Sequence, residues 1–114
     1  MKERDFWDIL FHATAYNDYS LKSYAHLVEL LSDLPLSEII AFECFMRKTL
    51  HRTNHHNVIA VANMIFAPGV GTDEFLYFQC WLILQGPDVI SSSIKNPDNL
   101  VSILDWDHQP KSNE

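Results

Sequence analysis

The densest group of side chains able to do chemistry is the run His51-Arg52-Thr53-Asn54-His55-His56. His51 and His55 are four residues apart, which on a continuous helix would place both imidazoles on one face, as in some metal sites. Thr53 and Asn54 are expected to break the helix between them. Arg52 stands where a metalloprotease-type helix carries its glutamate. Further ligands would have to come from His12, His26 or a cysteine, so an exposed polar turn is the preferred reading and no metal is assigned. Arg47, Lys48 and Arg52 join these histidines in the one local excess of positive charge. An anion could sit there, but cations at a helix end also complement its dipole, and that reading is preferred.

Three other groups have side chains or backbone suited to chemistry. The loop Pro68-Gly69-Val70-Gly71 opens a helix, as phosphate-binding loops do, but no Lys-Ser or Lys-Thr follows it and Asp73-Glu74 would repel phosphate. Ser91-Ser92-Ser93 has no identifiable base, and Cys80 sits in the most apolar run of the chain. Gln79, in the middle of that run, must find a partner if it is buried, and is expected to tie neighbouring helices together. No catalytic, cofactor-binding or metal residue is assigned. Gln79, Tyr77, Arg47, Arg52, His51 and His55 are the residues marked as candidate ligand or partner contacts.

The elements that must position these groups read as helices throughout. Residues 72–86 form the organising segment: Thr72 can cap a helix, Asp73 and Glu74 complement its dipole, and residues 75–84 are almost wholly apolar. A helix that is apolar nearly all round is expected to be buried nearly all round. Gly86 and Pro87 should stop it. Before it, 3–15 reads as a helix with Phe6, Trp7, Leu10, Phe11 and Ala13 inward, and Asn17, Asp18 and Ser20 as a polar break. Residues 21–32 follow, with Leu21, Tyr24, Ala25, Val28 and Leu31 as the inner stripe. Pro35 opens a third helix running to about His51, with Ile39, Phe42, Phe45, Met46 and Leu50 inward. On it Glu43 and Arg47 can pair across one turn, worth about 0.3–0.5 kcal/mol. A fourth helix spans roughly 55–66, capped by Thr53 or Asn54, with Val58, Val61, Ala62, Ile65 and Phe66 as its apolar positions. Short helical pieces at 87–94 and 97–104 follow the central one, and 105–114 reads as a polar tail. No alternation of period two marks a strand. The expectation is all-α: one compact helical domain over 1–104, five main helices and one or two short C-terminal ones, organised around a buried helix at about 72–86.

Three stretches together resemble the small bacterial family known as domain of unknown function 4240: Asp5-Phe6-Trp7, Glu38-Ile39-Ile40-Ala41-Phe42-Glu43, and residues 72–86 followed by Val89 and Asn96-Pro97-Asp98-Asn99-Leu100. The resemblance implies a helical domain with no established biochemical activity. This chain has Gln79-Cys80 where members tend to have Arg-Gly, and lacks the longer acidic C-terminal part of several relatives.

Net charge narrows the function classes. Fifteen acids against eight lysines and arginines leave −7, which argues against a sequence-independent nucleic-acid binder. The longest apolar stretch is about ten residues, too short to span a bilayer. With no leader visible and its two cysteines, Cys44 and Cys80, expected to act as small core hydrophobes, a cytoplasmic protein with reduced thiols is expected. The leading expectation is an acidic protein-interaction module, such as an antidote to a basic partner, and more a binder than an enzyme. The alternative is an enzyme or small-ligand binder with a pocket beside the central helix, near Gln79, Tyr77 and the loop 69–72. Homo-oligomerisation is compatible with either.

Overall fold

The computed structural model describes residues 1–14 and 21–107, and the side chains of all of these but 21–24 and 105–107. The polar break at Asn17, Asp18 and Ser20, the side chains of Leu21, Tyr24 and Trp106, and residues 108–114 lie outside the description. Seven helices and no strand are found among the described residues: α1 (Glu3–Ala13), α2 (Leu21–Ser32), α3 (Leu36–Thr53), α4 (His56–Ile65), α5 (Thr72–Leu84), α6 (Pro87–Lys95) and α7 (Pro97–Asp107). The all-α expectation holds. The chain divides into two compact units, Met1–His51 and Arg52–Glu114.

In the first unit α1 packs against α2. Phe6, Leu10 and Ala13 recur at helical spacing and are buried. The Phe6 ring meets Phe42 and Phe45 of α3 at 5.0 and 5.8 Å between centroids, an aromatic cluster at separations favourable for such pairs. The terminal ammonium of Met1 reaches Glu38 of α3 at 2.9 Å. Pro35 stands just before α3, and its carbonyl accepts from Glu38 and Ile39 in the helix's first turn. Three assignments here are corrected. Phe11 is not inward but 74% exposed. Ala25 and Val28 of α2 are exposed as well, while Leu27, Leu30 and Leu31 are half-buried, so the stripe α2 buries is rotated from the expected one. Cys44 is exposed, not core.

In the second unit α4 and α6 each pack against the other three helices. Val58, Val61 and Ala62 of α4, Phe78, Leu82 and Ile83 of α5, Ile90 of α6, and Leu100 and Leu104 of α7 form its core. The link between α5 and α6 is tight. Gln85 ends α5, and Gly86, at φ 102° and ψ 167°, is the residue before α6. That φ is accessible to glycine at little cost and strains any residue with a Cβ. Pro87 then occupies the first turn of α6, where its missing N–H would be unpaired anyway. No described helix is long and apolar enough to cross a membrane.

Candidate functional site

The six marked residues separate into groups with different environments. In the first unit, Arg47 pairs with Glu43 at 3.3 Å, as their spacing implies, and the pair is exposed. The Lys48 ammonium stands 5.6 Å from the Phe45 ring centroid, and His51 is exposed. An exposed ion pair of this kind contributes well under about 1 kcal/mol.

In the second unit the segment from Arg52 to Asn57 is held by several hydrogen bonds. The Arg52 guanidinium donates to the Ser91 hydroxyl at 2.6 Å. Gln79 Nε2 of α5 donates to the buried Thr53 hydroxyl at 3.0 Å, so the buried amide joins two elements, as expected for it. The N-cap of α4 is neither Thr53 nor Asn54 but His55, whose Nδ1 accepts the Asn57 backbone N–H at 3.1 Å. The cap satisfies one of the donors a helix N-terminus leaves open. The His55 ring stacks on His56 with centroids 4.2 Å apart. Asn57 Nδ2 donates to the Ile94 carbonyl of α6 at 2.6 Å. Arg52, Thr53, His55 and Asn57 are therefore used in holding the junction before α4. No three His, Cys, Asp or Glu residues converge as metal ligands among the described residues.

The loop before α5 is likewise closed on itself. The N–H of Gly69 donates to the Phe66 carbonyl at 2.8 Å, that of Val70 to Asn63 Oδ1 at 3.0 Å, and that of Gly71 to Glu74 Oε1 at 2.9 Å. Three successive donors that could cradle a phosphate are spent on the protein's own oxygens. The N-cap of α5 is Gly71, one residue earlier than the expected Thr72.

α5 itself departs most from expectation. At 100° per residue, positions 75, 78, 79, 82 and 83 fall on one side, and Phe78, Gln79, Leu82 and Ile83 are buried. Positions 73, 76, 77, 80 and 84 fall on the other. There Tyr77 is 70% exposed, Leu76 44% exposed, Cys80 and Asp73 exposed, and Leu84 half-buried. The helix is apolar on both faces and buried on one. Cys80 is thus not a core residue, although neighbouring atoms desolvate its thiol enough to raise its pKa above the ordinary value. Gln79 and Tyr77 face opposite sides of the helix, so a pocket lined by both does not form. The sequence points to Tyr77 but not to Leu76 and Cys80 beside it. Their signal was the wholly apolar outer row, read as burial.

Single exposed apolar side chains are ordinary on a protein surface. The row on α5 is different because it is continuous, with no charged residue from Leu76 to Leu84 and no basic residue anywhere in the helix. Leu36, Ile40 and Cys44 on α3 form an exposed row beside Glu43, Arg47 and Lys48, and Met64 and Ile65 of α4 are exposed next to Asn63.

The model of the family described as a protein of unknown function, DUF4240, matches residues 1–114. No curated protein and no solved structure matches the chain.

Proposed function

Since the chain belongs to the DUF4240 family, whose description assigns no function, we propose from its own surface that it is a protein-interaction module that binds a basic partner protein. The observation that carries this reading is the outward row of α5, where Leu76, Tyr77 and Cys80 stand in solvent with Asp73 and Glu74 at its head. A continuous apolar row of this kind is a feature of recognition surfaces. The net charge of −7 selects for partners of opposite sign and speeds their encounter at low salt. An antidote that neutralises a basic enzyme is a concrete form of this function, with the partner's site covered by charge and shape.

Co-expression of the tagged chain with the product of the neighbouring gene, then size-exclusion chromatography, tests the reading. The expected result is a stable complex with a basic protein, weakened as salt rises through the range where the Debye length falls from about 10 to 3 Å. Failure to form a complex with that protein or any other basic protein would remove the proposal.

A further inference from the structure

Resting on that reading, we propose that the partner docks an amphipathic helix antiparallel to α5 along Asp73, Leu76, Tyr77, Cys80 and Leu84, with lysine or arginine in its last turn. The row is built for a helix. Residues 76, 80 and 84 are spaced by four and form a ridge, with Asp73 and Tyr77 as the ridge beside it, so a second helix can set its own ridge between them. From Leu76 to Leu84 the row is about 12 Å long, which fits two to three turns of a partner helix.

Other occupants suit the row poorly. No strand is present among the described residues to offer an open edge, so strand addition has nothing to build on. A nucleic acid needs cations to replace its counterions, and α5 has none. A helix lying on an anionic membrane carries lysine and arginine on its polar flank, whereas the charges here are Asp73 and Glu74.

Charge sets the polarity. Asp73 makes no ion pair among the described residues, while Glu74 already accepts the Gly71 N–H. Both carboxylates lie at the N-terminal end of the row. An antiparallel partner brings its C-terminal turn to that end. Lysine or arginine is favoured there by the partner's own dipole, and meets Asp73 as well. A parallel partner would bring its N-terminus, where cations are disfavoured.

Two synthetic helical peptides with the same leucine row test this, one with lysines in its last turn and one with glutamates there. Fluorescence anisotropy is expected to show the lysine peptide binding at least ~10-fold more tightly than the glutamate peptide. Leu76→Glu should weaken it by a further ~10-fold or more, and Asp73→Asn should erase most of the preference between the peptides. Ile40→Glu on α3 should leave binding unchanged. Alkylation of Cys80, but not of Cys44, should slow when the lysine peptide is bound. Both glutamate substitutions fall at exposed positions, and circular dichroism confirms that each variant folds. The proposal is overturned by equal binding of the two peptides, or by binding lost through Ile40→Glu and kept in Leu76→Glu. A concentration-dependent dimer that Tyr77→Ala disrupts would make the occupant a second copy and also overturn it. If neither peptide binds while a basic protein still forms the complex of the preceding section, the helical occupant is wrong and the interaction reading stands. If no basic protein binds either, both fall.

Discussion

α5 and α6 are neighbours in the second unit, joined through Gly86, and they distribute polarity in opposite senses. α6 follows the usual rule on its outside, where Asp88, Ser91 and Lys95 are exposed, and breaks it inside: Ser93 is fully buried and its hydroxyl has no hydrogen-bond partner. α5 follows the rule inside, where the one buried polar residue, Gln79, is bonded to Thr53. It breaks the rule outside, with Leu76, Tyr77 and Cys80 in solvent. The two exceptions differ in kind. The orphan hydroxyl of α6 costs stability and faces no solvent, so it offers a partner nothing. The apolar row of α5 leaves part of its burial unrealised in the isolated chain, with Tyr77 70% and Leu76 44% exposed, and gains further free energy when something covers it.

Substitutions can break or sharpen this contrast, beginning with the largest effect. Leu82 is 0% exposed on the inner face of α5. Leu82→Ala should cost about 2–5 kcal/mol in urea unfolding, through lost burial and the cavity left behind. Gly86→Ala should cost about 1–2 kcal/mol in the same assay. The space beside Gly86 is open, so that loss would come from its positive φ alone. Ser93→Ala removes an unsatisfied buried hydroxyl and places a better helix former in α6, and should raise stability by up to about 1 kcal/mol. If Ser93→Ala instead destabilises, the hydroxyl has a partner and α6 is no exception. Leu76→Ser with Tyr77→Ser should change unfolding free energy by no more than about 0.5 kcal/mol each. A loss there near that of Leu82→Ala would mean that the outer face of α5 is buried in the chain itself, and the contrast with α6 would vanish.

Much of the helical framework could be read from the amino-acid order, because turn chemistry is local. Pro35 before α3, Pro87 at the start of α6 and Asn96-Pro97 at the start of α7 follow from caps and breakers that act within one turn. The inner positions Val58, Val61 and Ala62 of α4 were legible because they recur at helical spacing, although Met64 and Ile65 of the same helix are exposed. The outer face of α5 was not, since periodicity reports which residues are apolar and not what covers them. When both faces are apolar, full burial and burial on one face look the same in sequence. The cysteines were misplaced for the same reason: apolar neighbours along a helix do not establish apolar neighbours in space. His55 as the cap of α4 was hidden because Thr53 and Asn54, better capping residues, stand just before it. The candidate site was therefore only half legible. Tyr77 was marked, but Gln79, marked with it, is buried structure holding Thr53.

The central claim is that the outward row of α5 is a surface of recognition, and mapping amide chemical shifts during titration with the lysine-ended peptide tests it most directly. The account predicts perturbations centred on Asp73, Leu76, Tyr77, Cys80 and Leu84, with Ser91 of α6 and Leu36 and Ile40 of α3 unmoved. Perturbations centred on α3 or α6, or none at peptide concentrations where the anisotropy change is complete, would contradict it.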